Sequence, residues 1–222
     1  MAELPTVKLG VLISGSGTNL QAIIDAILRG DLKAEIRLVV SNRADAQGLE
    51  RARRHGIETT VIDHRKFLSR EDFDRAVLAA LRDRSVELVA LAGFMRLLSP
   101  AMLDAFSGRI MNIHNSLLPS FPGIHGPKDA LEYGVKIAGC SVFFVTPGVD
   151  VGPVIVQAAV PVLPGDDEQK LAARILQQEH RIFPHALALF QQGRLEIQGR
   201  RVIIKGDSST PSSPPLVNPP VG

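Results

Sequence analysis

Val7-Lys8-Leu9-Gly10-Val11-Leu12-Ile13-Ser14-Gly15-Ser16-Gly17-Thr18-Asn19-Leu20 is the stretch on which the fold class turns. Its apolar run over 7–13 ends in a glycine-rich hexapeptide, after which Leu20, Ile23, Ile24 and Ile27 recur at helical spacing. This reads as strand, tight turn, helix. The alternation continues with a strand over 36–41, a helix over 48–55 and a strand over 59–62. Ser69-Arg70-Glu71-Asp72 has the spacing of a capping box, and Phe73, Val77 and Leu81 follow on one helical face. Buried strands are predicted over 88–92 and 110–114. A parallel sheet explains this order economically.

The texture changes after residue 114. The β-rich runs 138–145 and 154–162 are joined by too few residues for a helical crossover, so they are expected to pair antiparallel or to sit at a bend. A long helix is predicted from Asp166 or Asp167 toward Gly193, interrupted at Pro184, and then a hairpin of 195–198 and 201–204 turning at Gly199-Arg200. The predicted fold is α/β: an open, mostly parallel Rossmann-like sheet flanked by helices, with a mixed C-terminal part and a terminal hairpin.

Composition narrows the function. The 222 residues hold 25 Lys+Arg and 23 Asp+Glu, a formal net charge of +2, which argues against gripping nucleic acid or an anionic membrane surface. No apolar run approaches the roughly 18 to 20 residues that span a bilayer, and Glu3 and Pro5 stand where a signal peptide carries basic and then apolar residues. A cytoplasmic location is expected. One cysteine, Cys140, allows neither an internal disulfide nor a structural zinc site. Residues 206–222, rich in Pro and Ser, read as a disordered or loosely draped tail, leaving a single domain over 1–205.

In an open α/β sheet, ligands bind outside the carboxyl ends of the strands, and residues 14–19 occupy the first such turn. Gly15 and Gly17 let the backbone approach a ligand, and the next helix aims free N–H groups at an anion. Neither the third glycine of a dinucleotide fingerprint nor the Lys-Ser/Thr of a P-loop is present, so a monophosphate fits better than a dinucleotide. A tight turn without ligand is the alternative.

Asn112 and His114 fall on one side of their strand, where they can donate to an oxyanion and move a proton; a satisfied core histidine is the other reading. Asp150 lies in a turn-rich loop and matters only if that loop folds over His114, where its carboxylate could orient the imidazole. Glu179 shares a helical stripe about 80° wide with Leu171, Ile175 and Ile182, so it needs a buried partner, an arginine or a polar ligand. Cys140 reads as an inert buried thiol, and the remaining histidines show no metal-ligand spacing, so no metal is expected; His125 stands in the same loop system as His114.

Together with residues 12–24, Leu91-Ala-Gly-Phe-Met-Arg-Leu-Leu-Ser-Pro100, Asn112-Ile-His114, Ser116-Leu-Leu-Pro119, Asp150-Val-Gly-Pro-Val154 and Gln178-Glu-His180, the chain resembles the phosphoribosylglycinamide formyltransferases, folate-dependent enzymes of purine synthesis. The resemblance implies a nucleotide-binding half over about 7–107 and a folate-cleft part over about 108–205. It implies Asn112, His114 and Asp150 as the catalytic trio. Gly17, Thr18, Asn19 and Glu179 would hold glycinamide ribonucleotide. Met95, Arg96, Leu97, Leu98, Asn112, Thr146, Pro147, Gly148, Val149 and Asp150 would contact 10-formyltetrahydrofolate, with Arg70 near its glutamate tail. Partners would be these small molecules alone, the chain being a monomer or weak homodimer. Relatives usually carry proline where this chain has Asn115, and often an acid where it has Pro147. A tRNA formyltransferase would need a further basic domain; a formyltetrahydrofolate deformylase, or a non-catalytic nucleotide-binding sensor, are the competing readings.

Overall fold

The computed structural model describes residues 5–206, 216 and 218. Strand β1 (Val7–Ile13) alternates as a strand buried on both faces must: Leu9, Val11 and Ile13 enter one apolar cluster and Leu12 the other. After it come α1 (Thr18–Arg29), β2 (Ala34–Ser41), α2 (Gln47–Arg54), β3 (Thr59–Val61), α3 (Arg70–Asp83), β4 (Leu88–Leu91), α4 (Pro100–Ala105) and β5 (Ile110–His114). Then follow α5 (Gly126–Tyr133), β6 (Ile137–Phe144), β7 (Val154–Pro161), α6 (Glu168–Gln191), β8 (Leu195–Gln198) and β9 (Arg201–Ile204). The nine strands form one sheet in the order β3-β2-β1-β4-β5-β6-β7-β9-β8.

The first five strands of that order are parallel, β6 is antiparallel to both β5 and β7, as the sequence leads one to expect of the β6–β7 pair, and β7 pairs parallel with β9. Winding runs outward from β1 to β3 and then returns to β4 on the other side of β1. That reversal opens a crevice at the carboxyl ends of β1 and β4, the place where such sheets bind ligands. The loop after β5 leaves from the same edge.

One sheet face is covered by Leu20 and Ile23 of α1, Leu49 of α2, Ala130 of α5 and Leu171, Ile175, Phe183 and Leu187 of α6. Phe73, Val77 and Leu81 of α3 and Met102 of α4 cover the other. The capping box forms: the Asp72 N–H donates to Ser69 Oγ at 3.1 Å.

Two features depart from the sequence reading. Helix α6 runs unbroken through Pro184. The lost hydrogen bond and ring clash cost about 3 kcal/mol, but Phe183 and Leu187 on either side are fully buried, each worth about 1.5–3 kcal/mol. Packing outweighs the break. Helices α4 and α5 are not foreseen, because six and eight residues hold too few apolar repeats to show a period. Most of the tail lies outside the described residues; within it, Asn218 donates its amide to the carbonyls of Lys136 (2.7 Å) and Val162 (2.8 Å).

Candidate active site

The turn after β1 is shaped by glycine. Gly17 has φ of 69°, a left-handed conformation that L side chains rarely adopt, and a Cβ placed on it would lie 2.4 Å from the Gly48 Cα. The position therefore both turns the chain and lets the starts of α1 and α2 touch. No acidic residue stands in the first turn of α1, so its free N–H groups keep their positive end. Behind the turn, Arg51 Nε donates to the Ser16 carbonyl at 2.8 Å.

A cavity of about 770 Å³ opens over this turn. Gly17, Thr18, Asn19 and Glu179 all line it, as do Asn42, Arg43, His64 and Arg96. Its wall is stiffened by Ser14, whose N–H donates to the Gly93 carbonyl (3.0 Å) and whose Oγ accepts from the Met95 N–H (2.9 Å) and donates to Asn42 Oδ1 (2.7 Å). One buried hydroxyl thus ties the turn after β1 to the loop after β4.

That second loop borders another cavity, of about 560 Å³. Met95, Arg96, Leu97, Leu98, Thr146, Pro147, Gly148 and Val149 line it, with Arg70, from the first turn of α3, at the same cavity. Phe94, Leu103, Phe143 and Val145 add apolar surface suited to a flat ring system. The two cavities share Asn19, Gly93, Met95, Arg96, Asn115 and Glu179, so they meet along one wall. A Cβ at Gly126 would come within 2.7 Å of the Asn115 carbonyl and side-chain oxygens, so this glycine makes room for Asn115.

Asn112, His114 and Asp150 converge on the 560 Å³ cavity. Loop 145–153 does fold over the end of β5: Asp150 Oδ2 lies 3.6 Å from His114 Nδ1. Asp150 has φ of 53° and accepts the Gly123 N–H at 2.8 Å, so its carboxylate is pinned between two loops. The imidazole is oriented by something else. His114 Nε2 lies 3.0 Å from the Phe121 carbonyl, which can only accept, so the proton sits on Nε2 and Nδ1 faces the carboxylate and the cavity. At 3.6 Å the His114–Asp150 pair is too long for a direct hydrogen bond, and a group bonded to both from the cavity side can relay a proton between them. The Asn112 amide makes no hydrogen bond to any described residue and is left to a ligand.

Phe121 was not visible as a functional residue, since it acts through its main chain. Its φ of 52° is uncommon for a bulky side chain, and the strain is held by a buried polar scaffold beneath loop 115–121. Ser141, paired with His114 in the sheet, donates its Oγ to the Ser116 carbonyl (2.7 Å) and accepts from the Leu118 N–H (3.0 Å) and Gln157 Nε2 (2.9 Å).

Glu179 is 7% exposed on the inner face of α6. Its partner is not an arginine: Asn19 Nδ2 donates to Glu179 Oε2 at 2.7 Å. Burial pushes its carboxyl above the ordinary value, opposed by the Asn19 hydrogen bond and the charge of His114. Asn19 therefore contributes its side chain to Glu179, leaving its main chain for an anion, and Asn19 Oδ1 is buried without a partner among the described residues. Cys140 is fully buried, and burial raises its thiol to about 12. His125 is exposed and lines neither cavity. Among the described residues, no group of three or more His, Cys, Asp or Glu is placed to hold a metal ion, and no helix is long and apolar enough to cross a membrane.

Residues 7–187 match the formyl transferase family. The chain is 48% identical to phosphoribosylglycinamide formyltransferase of Escherichia coli, over 90% of this chain and 95% of that protein. It is 52% identical to the trifunctional purine biosynthetic protein adenosine-3 of Drosophila pseudoobscura pseudoobscura over 88% of this chain, which spans only 14% of that protein's length, and it spans 19% of the Gallus gallus counterpart. Among solved structures, glycinamide ribonucleotide transformylase 1 of Symbiobacterium toebii superposes with a TM-score of 0.89 at 56% identity, covering 90% of this chain and 94% of that one.

Proposed function

The chain belongs to the formyl transferase family, and on that premise we propose that it is a phosphoribosylglycinamide formyltransferase, moving the formyl group of 10-formyltetrahydrofolate to the amine of glycinamide ribonucleotide in purine synthesis. The observation that carries this reading is the meeting of two cavities at Asn19, Asn115 and Glu179, beside His114 and Asp150. A phosphorylated amine entering over the glycine turn and a folate entering over loop 92–99 would bring their reacting ends to this wall. The reaction belongs in the cytoplasm.

The chemistry follows from what the side chains can do. The substrate amine adds to the formyl carbon, giving a tetrahedral intermediate whose oxyanion needs donors. Asn112 supplies a free amide N–H, and His114 can present a proton on Nδ1 while Nε2 stays bound to Phe121. The attacking nitrogen must then lose a proton and the departing folate nitrogen gain one. Asp150, 3.6 Å from Nδ1 and facing the same cavity, is suited to carry that transfer. Glu179 would fix the ribonucleotide, which accounts for a buried carboxylate whose hydrogen-bond partner among the described residues is an amide. Direct transfer needs no acyl-enzyme.

An assay following conversion of 10-formyltetrahydrofolate to tetrahydrofolate, with and without glycinamide ribonucleotide, tests the proposal. Turnover is expected only with both substrates present. Folate turnover that gains nothing from the ribonucleotide would identify a deformylase instead, and no turnover at all a binding protein.

A further inference from the structure

We propose that Tyr133, on the last turn of α5, is a positioning residue for His114, acting through the ring of Phe121, a role that rests on the reading of His114 as part of the reaction.

His114 Nε2 donates to the Phe121 carbonyl at 3.0 Å, so the direction of that carbonyl decides which ring nitrogen faces Asp150. The carbonyl belongs to a residue with φ of 52° that also precedes a proline, Pro122. A bulky residue before proline relaxes toward an extended backbone with negative φ, and that rotation would swing its side chain and its carbonyl together. Hydrogen bonds hold the chain on either side: Ser116 Oγ donates to the Ser120 carbonyl at 2.6 Å, and the Gly123 N–H donates to Asp150 at 2.8 Å. Neither is made by Phe121 itself, so resistance to the rotation falls to its side chain.

That side chain rests on two supports. One is the apolar cluster on the α1 and α6 face of the sheet. The other is Tyr133, whose ring meets Phe121 edge to face, with centroids 5.8 Å apart and planes at 65°. Tyr133 stands on a fixed base: Ala130, one turn earlier, is buried in the same cluster, and Gly134 closes the helix with its N–H bonded to the Ala130 carbonyl at 3.1 Å. Yet Tyr133 is 79% exposed, and among the described residues its hydroxyl forms no hydrogen bond. A ring left so largely in water adds little to the core, and its aromatic contact is with the residue that holds the imidazole.

The tautomer of His114 tests this without turnover. Proton–nitrogen correlation spectra of the full chain at about pH 8.5, above the ordinary histidine range, are expected to show His114, assigned by its loss in His114→Ala, with its proton on Nε2. Tyr133→Ala should keep the fold, since this side chain is mostly in water, but raise the share of the form protonated on Nδ1. Tyr133→Phe keeps the ring and should match wild type. Turnover measured well below the melting transition should show kcat lowered roughly two- to tenfold in Tyr133→Ala, the range for losing one aromatic pair, with both KM values unchanged and full rescue in Tyr133→Phe. A wild-type tautomer in Tyr133→Ala would overturn the proposal, as would a kcat that follows the folded fraction, because the ring would then only shield Phe121 from water. A loss shared by Tyr133→Phe would overturn it too, by placing the role in the hydroxyl. If the wild type fails to formylate the ribonucleotide, the enzymatic reading falls separately, and the tautomer comparison still decides the role of Tyr133.

Discussion

The two cavities that meet at Glu179 are built by opposite means. The one over the glycine turn draws one wall from six consecutive residues, 14–19, and offers mainly main-chain N–H groups there. The other offers side chains from the ends of β4 and β5 and from the loop before β7, brought together only by strand order. Holding a phosphate needs donors in a fixed geometry, which one tight turn and one helix start supply. Moving a formyl group needs an oxyanion donor, a proton carrier and a counter-charge at one point, and no short stretch of chain holds all three.

If that division is right, damage to the second cavity should fall on turnover. Asn112→Ala or His114→Ala is expected to lower kcat by about 100- to 1000-fold, the usual effect of losing one donor to a developing oxyanion. Neither change should move KM for the ribonucleotide comparably. Near-normal turnover in His114→Ala would remove the imidazole from the mechanism.

Breaking the first cavity should instead fall on binding and stability. Gly17→Ala puts a side chain at φ of 69° and a Cβ 2.4 Å from Gly48. A strained backbone alone costs about 1–3 kcal/mol, and the clash adds to it. A lowered melting temperature together with a raised KM for the ribonucleotide is expected, and an unchanged melting temperature would mean that α1 and α2 separate easily.

Glu179, on the shared wall, separates stability from function. Glu179→Gln keeps the shape and can still accept from Asn19, but removes a charge that is costly to bury. Weaker ribonucleotide binding, by roughly ten- to a hundredfold in KM, should accompany a higher melting temperature at neutral pH. The pH dependence has a definite sign. A carboxyl raised in the folded state is destabilising once ionised, so the variant's advantage should grow as pH rises from 4.5 through the folded-state value, and then stay constant. Parallel melting curves of the two proteins between pH 4.5 and 8 check this.

The same contrast explains what the sequence made legible. Alternation of apolar runs and helical periods gave the parallel half, because its central strands β1 and β4 are buried on both faces and its helices on one stripe. The glycine turn was visible as a contiguous motif. The approach of Asp150 to His114 joins residues 36 positions apart through the β6–β7 ladder, and no local pattern records it. Residues acting through main-chain atoms leave still less trace: Phe121 orients the His114 imidazole with its carbonyl, a group that every residue has. Glu179 showed as an anomaly on an apolar stripe, but its amide partner, 160 positions away, did not.

The scaffold that holds Phe121 gives the smallest and sharpest separation. Ser141 Oγ satisfies the Leu118 N–H, the Ser116 carbonyl and Gln157 Nε2, all buried or half-buried, and touches neither cavity. Ser141→Ala leaves these groups without that hydroxyl, and each unsatisfied buried group costs about 1–3 kcal/mol. Stability should fall by an amount in that range. If loop 115–121 serves only to close the fold, kcat should follow the folded fraction and be normal at low temperature. If it also sets the imidazole, kcat should stay several-fold low where the variant is fully folded, with both KM values little changed, because His114 then samples orientations in which Nδ1 no longer faces Asp150. Turnover measured well below the melting transition distinguishes the two, and the strained φ of Phe121 favours the second, since such a conformation persists only where its surroundings enforce it.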